Sequence, residues 1–338
     1  MMIEGCPVEI LDKIFELSAY SDPEHAQATI YALMLTCSYF HTVAERHFIR
    51  IVCLPNAEKV NAFASYLKQV VKGADYGKGV LPIQHLAVAG KYKYRIPPGL
   101  HPRRCSDAEV EAERIFPFIL TTAAPSLLTL AIFGMDTGYR HVKAKWRYKD
   151  ERAYVSDGTT FPKLLDFVAL DQHVISLVLW DNNGGPDKQA CQLRYPSLRR
   201  LYIPGNGGGS LPSALPSLDD LRLEMLDSAC SGPLREEVGH VRSLIIDAPQ
   251  YFSFIASGHT SYAQLRDEYA SKMSEYQTLI EEVGNSEHNG IVVPDARFTH
   301  YADRGRILSG WADAVVGGEG CWTSAWIPTV PYTGPPEN

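Results

Sequence analysis

Hydrophobic residues in the first fifty positions recur at helical spacing. A first helix is predicted after Pro7, since proline suits the first helical turn, where its missing N–H costs nothing. Apolar residues follow Ile10 at i+1, i+4 and i+5, which makes one apolar stripe. A second helix is predicted from Asp22-Pro23-Glu24, and a third where Phe40 and later apolar residues recur. A unit of about 45 residues cannot bury all these groups alone, so the rest of the chain or a partner must cover some.

From position 83 onward the pattern changes to a repeated apolar-x-x-apolar-x-apolar unit. The units begin at Ile83, Leu127, Leu164, Val174, Leu198, Leu218 and Val241. A proline precedes four of them by two positions, at Pro125, Pro162, Pro196 and Pro216. The last four starts are 24, 20 and 23 residues apart, within the leucine-rich-repeat range of roughly 20–29 residues. The step from 164 to 174 is too short for a repeat, so one of those units is not a ladder strand, and the step from 83 to 127 has room for a degenerate unit.

Each unit predicts a short strand whose first, fourth and sixth residues point into a shared core. The residue between the last two apolar positions then points to the opposite face in every unit. Those residues are Ala87, Ala131, Val168, Val178, Tyr202, Arg222 and Ile245. The candidate residues for binding a protein substrate are Val178, Tyr202, Arg222 and Ile245. Taken singly, each of them is also compatible with an ordinary surface or flanking position.

The remaining segments predict insertions and a cap. Two basic stretches, 91–104 and 140–152, interleave aromatic residues with Lys and Arg. They suit solvated edges or an acidic partner better than nucleic acid, because the whole chain carries a net charge of −7. An amphipathic helix is predicted over 261–283, a strand at 291–293, a helix at 301–316 and a turn at 317–322. The long helix would cap the open end of the array.

Composition and motifs argue against several classes of protein. The 338 residues are 45% hydrophobic, without an apolar run near the ~20 residues that a membrane span needs. Seven cysteines lack C-x-x-C spacing, so neither a zinc ribbon nor a thioredoxin motif is predicted. Their odd number favours a reduced intracellular compartment. The glycine run 205–209 lacks the Lys-Ser/Thr of a P-loop, and no hydrolase or kinase motif occurs. We expect no metal, no cofactor, no membrane and no nucleic acid, and no enzyme activity.

Two segments carry a family resemblance. Residues 6–15 and 32–41 read Cys-Pro-Val-Glu-Ile-Leu-Asp-Lys-Ile-Phe and Ala-Leu-Met-Leu-Thr-Cys-Ser-Tyr-Phe-His. They resemble the F-box, although Cys6 stands where leucine is typical and Phe40 where tryptophan is common. The resemblance implies a three-helix module that docks on a Skp-type adaptor of a cullin ubiquitin ligase. The residues it assigns to adaptor binding, some of which must also hold the module together, are Pro7, Ile10, Leu11, Ile14, Phe15, Leu33, Cys37 and Phe40.

The predicted architecture is an α+β or α/β solenoid. It comprises an F-box-like helical domain over 1–50, a divergent leucine-rich-repeat array with insertions over 51–260, and a helical cap and tail over 261–338. The array resembles that of fungal leucine-rich-repeat F-box proteins. The implied function is substrate recognition for a cullin-type (SCF) ubiquitin ligase in the cytoplasm or nucleus, with an unidentified target protein. The alternatives are an intracellular repeat scaffold without a ligase link, which predicts that residues 1–50 leave no apolar groove, and an unrecognised hydrolase or transferase.

Overall fold

The structure is a computed structural model that describes ten stretches of the chain. They are residues 6–72, 81–89, 106–133, 159–169, 195–204, 215, 217–224, 241–247, 291–292 and 304–322, together with Asp267, Ala270, Ser271, Ser274 and Thr278. Within these residues, helices and a parallel sheet combine in one mixed architecture.

Three helices form the N-terminal unit, as the spacing of apolar residues predicts. They are α1 (Val8–Ser21), α2 (Ala26–Met34) and α3 (Ser38–Ala44), and a 3-10 turn follows at Glu45–His47. The predicted start of the second helix, with Asp22 as its cap and Pro23 as its first residue, is wrong by three residues, since α2 is capped at His25 and begins at Ala26. The Asp22 carboxylate accepts the backbone N–H of His25 at 3.3 Å, which closes a turn before α2 begins.

Eight strands form one parallel sheet in chain order. They are β1 (Ile51–Leu54), β2 (His85–Ala89), β3 (Thr129–Phe133), β4 (Asp166–Ala169), β5 (Arg200–Pro204), β6 (Asp220–Glu224), β7 (Ser243–Asp247) and β8 (Ile291–Val292). Among the fully described elements, α4 (Ala57–Lys72) follows β1 and α5 (Asp107–Ala123) follows β2 in the sequence. The strand predicted at 291–293 is confirmed over Ile291–Val292 as β8, and residue 293 lies outside the described residues.

The register of the sheet matches the repeat found in the sequence. The fourth residues of six units align across six neighbouring strands, as Leu86, Leu130, Phe167, Leu201, Leu221 and Leu244. Because β4 pairs with both β3 and β5, the unit at Leu164 supplies the ladder strand. The competing unit at Val174 lies outside the described residues. Since β2 pairs directly with β3, the long step between them contains α5 and not an intervening strand.

The first repeat unit in the structure was not predicted from the sequence. Ile49, Val52 and Leu54 fit the apolar-x-x-apolar-x-apolar pattern, and all three are buried in the same core as the later units. Their strand β1 pairs with β2, so the sheet begins where the N-terminal helices end. The repeat therefore starts about 34 residues before the first predicted unit, counting from Ile49 to Ile83.

The first face of the sheet carries the main hydrophobic core. Leu86 and Leu130 lie in it together with α4 residues such as Leu67 and α5 residues such as Ile119. Helix α5 begins with a capping box between Ser106 and Glu109, a signal that the sequence contains. The two helices pack on each other and cover this face.

Successive units are joined by a repeated hydrogen-bond pattern. One carbonyl just before a strand accepts two consecutive N–H groups from the next unit, as when Arg50 accepts from Gln84 at 2.9 Å and His85 at 3.0 Å. The same pattern recurs at the carbonyls of Gln84, Leu128, Leu165, Arg199 and Asp219. In two later units a serine hydroxyl adds a second link, since Ser197 donates to Pro162 O at 2.7 Å and Ser217 to Pro196 O at 3.1 Å.

The C-terminal elements agree with the sequence where they are described. Helix α6 (Arg304–Val315) falls within the predicted 301–316, and a turn with positive φ at Gly317 and Gly320 follows it. Five residues of the predicted 261–283 helix are helical and exposed, at the spacing of its polar side; the rest of that segment lies outside the described residues. Among the helices that can be described, none is both long and apolar enough to cross a membrane.

Candidate functional site

An exposed apolar stripe runs along the outer side of α1. Ile10 is 53% exposed, Ile14 46% and Leu17 57%, at i, i+4 and i+7, so their side chains line one side of the helix. Leu35, at the end of α2, is 68% exposed. We call Pro7, Ile10, Ile14, Leu17, Leu35 and Cys37 the N-terminal apolar face.

Packing brings the two ends of this face together. Tyr39, in the first turn of α3, donates its hydroxyl to the carbonyl of Cys6 at 3.1 Å, just before α1 begins. The start of α3 therefore lies against the start of α1. Cys37 caps α3 through its Sγ, which accepts the Phe40 N–H at 3.5 Å, and is itself exposed.

The inner side of α1 is fully packed. Leu11 and Phe15 are buried, and the Phe15 ring meets the buried Phe40 ring edge to face with centroids 5.1 Å apart. The predicted adaptor residues therefore divide by position. Pro7, Ile10, Ile14 and Cys37 are exposed, Leu33 is partly buried, and Leu11, Phe15 and Phe40 belong to the core of the helical unit. Sequence reasoning missed Leu17 and Leu35, although Leu17 lies three residues after Ile14 on the same stripe.

Charged side chains fix α1 to the turn after α3. Asp12 Oδ1 lies 2.7 Å from His47 Nε2 and 2.9 Å from Arg46 Nε. Glu16 Oε1 lies 2.8 Å from Arg50 Nη1. Burial lowers the pKa of His47, although the hydrogen bond to Asp12 opposes that shift. Burial acts to raise the pKa of Asp12, but the hydrogen bond from His47 and the neighbouring cationic groups outweigh it and bring that pKa below its ordinary value. These pairs orient the outer stripe of α1.

The predicted substrate residues lie on the second face of the sheet. Tyr202 is 2% exposed, Arg222 3% and Ile245 2%, so the chain itself covers them, and Val178 lies outside the described residues. The Arg222 guanidinium carbon sits 5.0 Å from the centroid of the Tyr202 ring. Alternation along each strand places these side chains on the expected face, but that face is not open to solvent at these positions. Their role in binding stays a prediction.

Helix α6 covers part of this second face. Leu308, Trp311 and Val315 are buried in one cluster with Ala87 and Ala131 of the sheet and with residues of α1 to α3. Because α6 is more than 170 residues from β3 in the sequence, this contact was not deducible from local pattern. A signal was present in the apolar spacing of 308, 311 and 315, which gives α6 one apolar side.

A buried line of hydrogen bonds links α1, the sheet and α6. Trp311 Nε1 donates to Thr129 Oγ1 at 3.1 Å, and Thr129 Oγ1 lies 3.1 Å from His85 Nδ1. His85 Nε2 lies 3.2 Å from the Tyr20 hydroxyl, which donates to Gln84 Oε1 at 3.4 Å. A single direction of donation satisfies every contact. The indole donates to Thr129, the Thr129 hydroxyl to Nδ1 of a neutral His85, His85 Nε2–H to the Tyr20 oxygen, and the Tyr20 hydroxyl to Gln84. Burial, together with the charge of Arg50, lowers the pKa of His85 to about 4.

An ion pair continues the same register row on the next two strands. Arg200 binds the Asp166 carboxylate through two nitrogens, each 2.5 Å from an oxygen, and Trp322 lies 5.7 Å from the Arg200 guanidinium carbon. Burial raises the pKa of Asp166, although the hydrogen bond and charge of Arg200 oppose that shift. The Asp166 carboxylate is buried, and Trp322 lies over the Arg200 guanidinium, whose side chain stays partly exposed. Within the described parts of the chain, no group of His, Cys, Asp or Glu is placed to hold a metal ion.

Comparison of the chain with protein-family models, with characterised proteins and with solved structures gives no match. The function therefore has to be inferred from the geometry of the chain and from the motif in residues 6–41.

Proposed function

We propose that the chain is the substrate-recognition subunit of a cullin-type ubiquitin ligase, with a Skp-type adaptor bound to the N-terminal apolar face. One observation carries the proposal: a folded helical unit presents Ile10, Ile14 and Leu17 in a row to solvent, while its inner side is packed in a core that it shares with the sheet and α6. Contiguous exposed aliphatic side chains of this kind mark protein-binding surfaces. The F-box resemblance of residues 6–41 supplies the identity of the partner.

The array is the proposed substrate-binding part. Parallel strands in chain order, the shared register of the repeat and the recurring carbonyl that accepts two N–H groups all support a divergent leucine-rich-repeat solenoid. Such arrays offer extended surfaces for protein partners. The chain would act by proximity, since holding a target beside the ligase raises its effective concentration without any chemistry by this subunit.

The junction between the helical unit and the array favours a fixed orientation of one part relative to the other. Strand β1 follows the helical unit directly and pairs with β2. Phe48 contacts Tyr31 of α2 and Tyr66 of α4, with ring centroids 6.3 Å and 5.8 Å apart. Packed aromatic contacts on both sides of the junction leave little room for hinge motion, so a target on the array would keep its direction relative to the adaptor.

The exposed stripe also distinguishes this proposal from a repeat scaffold without a ligase link. That alternative predicts a helical unit buried entirely against the array. Phe15 is buried, as the scaffold requires, but the exposed Ile14 stripe has no function in it.

Binding to a recombinant Skp-type adaptor tests the proposal. Ile14→Asp should weaken the complex at least tenfold in calorimetry or in co-purification, because it places a charge in an apolar interface. Val71→Asp is the matched control, since Val71 is an aliphatic residue 50% exposed on α4. Equal binding by the two folded variants, or no binding by the unaltered chain, contradicts the proposal.

A further inference from the structure

Helix α6 is amphipathic and packs its apolar side on the second face of the sheet. Its buried residues Leu308, Trp311 and Val315 are spaced at i, i+3 and i+7, and they contact the sheet side by side. On the other side Ser309 and Asp313 are exposed. The helix therefore lies along the sheet with one apolar side down, as helices bound in grooves do.

The sheet is shaped to receive the indole. In the row that faces α6, β2 and β3 carry Ala87 and Ala131, whereas β5 and β6 carry Tyr202 and Arg222 at the same register. The small side chains leave space above β2 and β3. Beside that space the Thr129 hydroxyl oxygen accepts the indole N–H of Trp311. We call the space over Ala87 and Ala131, together with Thr129, the seat; it has both the volume and the acceptor that a tryptophan needs.

The helix and its turn form a compact unit of their own. The Asp313 carboxylate accepts the Gly320 N–H at 2.7 Å, and the Asp313 carbonyl accepts the Gly318 N–H at 2.9 Å. Trp322, at the end of the turn, reaches Arg200. The two hydrogen bonds of Asp313 hold the turn against α6, and Trp322 adds a contact to the sheet beyond those of the helix itself.

The contacts of α6 with the sheet suit reversible docking. Among the described residues of α6, Trp311 makes a hydrogen bond to the sheet, and Ser309 and Asp313 face solvent. A helix of 12 residues is marginal in water without tertiary contacts. Release of α6 is thus a local unfolding event that leaves the core of the first face, built on α4 and α5, in place.

We propose that the second face of β2 to β5 is a binding surface for an amphipathic helix and that α6 is its internal occupant. The partner that fits is a helix with a tryptophan, an aliphatic residue three positions before it and another four positions after it. The inference deepens the proposed function, on which it rests for the identity of this partner as the ligase substrate: a substrate helix would replace α6, so the free chain holds its recognition surface closed.

A synthetic, fluorescein-labelled peptide of residues 304–322 tests the proposal with the full chain. By fluorescence anisotropy, the Trp311→Ala chain should bind this peptide at least tenfold tighter than the unaltered chain, because its own helix no longer holds the seat. Ser309→Ala, on the exposed side of α6, is the control and should behave as the unaltered chain does. Adding Thr129→Val to Trp311→Ala should weaken peptide binding several-fold, since the seat then lacks its acceptor.

Equal peptide binding by a folded Trp311→Ala chain and the unaltered chain overturns the proposal. Hydrogen exchange on the unaltered chain is an independent test if Trp311→Ala fails to fold. The amides of α6 should then exchange at least tenfold faster than those of α5 and β3, and equal protection makes α6 a fixed part of the core. Adaptor binding is measured separately on the same proteins. Its absence in the unaltered chain removes the proposed function, whereas loss of peptide binding alone removes only this inference.

Discussion

Protonation of His85 should make the stability of the fold depend strongly on pH. The imidazole is buried between Tyr20 and Thr129 and takes part in the hydrogen-bond line as a neutral ring. Burial and the charge of Arg50 bring its pKa from 6.5 to about 4. Because the folded pKa is the lower one, protons bind preferentially to the unfolded chain below pH 6.5. The contribution of His85 is therefore complete above pH 6.5 and is lost as the pH falls towards 4.

The size of this effect follows from the two pKa values. With 6.5 in the unfolded chain and about 4 in the folded one, linkage gives a loss of about 2 kcal/mol between pH 8 and pH 5 and about 3 kcal/mol by pH 4. That loss is a large fraction of the roughly 5–15 kcal/mol by which domains are stable. The carboxyl groups of Asp12, Glu16 and Asp166 also titrate at low pH, but they are present in any single-site variant and largely cancel in a difference.

Urea unfolding of the unaltered chain and of His85→Gln between pH 8 and pH 4 measures the effect. Glutamine keeps a donor and an acceptor at this position without a titrating proton. At pH 8 the variant should be less stable by about 1 kcal/mol because its hydrogen bonds are less well placed. Towards pH 4 this difference should shrink and then reverse by about 2 kcal/mol. Parallel curves for the two proteins would show that His85 titrates alike in the folded and unfolded chain, and would refute the buried neutral imidazole.

Three further predictions concern packing and hydrogen bonding. Phe15→Ala should destabilise the fold by about 3–5 kcal/mol in thermal or urea unfolding, whereas Ile14→Asp should shift the free energy of unfolding by less than about 1 kcal/mol, because Ile14 is exposed. Ser126→Ala should cost about 1–3 kcal/mol in urea unfolding, since this buried hydroxyl contacts two carbonyls of the preceding unit, and the exposed Ser197→Ala should cost less than about 1 kcal/mol. Arg200→Met should cost roughly 2–3 kcal/mol at pH 7 because it leaves a buried carboxylate unpaired, and unfolding at pH 4 should show a smaller cost as that carboxylate takes up a proton.

The strands of the array were predictable because each unit carries its own local signal. In Tyr195-Pro196-Ser197-Leu198, proline favours the second position of a turn, and the Leu198 N–H donates to the Tyr195 carbonyl at 3.3 Å. The first core leucine follows that turn, and the strand begins two residues later. Similar chemistry precedes β4 and β6, so spacing from the proline fixes both the start of the strand and its buried side.

Helix α5 and the repeat unit at Ile49 were not predicted from the sequence. Helix α5 has a capping box at Ser106, but Pro117 lies within it, and a proline inside an apolar periodic segment argues against a helix. The structure accommodates Pro117 within α5. The unit at Ile49 was missed for a different reason: the F-box resemblance placed a domain boundary at residue 50, which divided a strand unit between two domains.

The repeat predicts which polar residues lie side by side on the second face of the sheet, but not which other element covers them. The third residue of each unit falls at the same register in the sheet. For four consecutive strands these residues are His85, Thr129, Asp166 and Arg200, which are therefore neighbours once the strands are parallel and in chain order. Opposite charges at consecutive positions of such a row predict a cross-strand ion pair. What the repeat does not encode is the cover on that face. Trp311, from a distant part of the sequence, covers Thr129 of this row. A residue that points away from the core of its own repeat becomes a core residue when a helix packs over it.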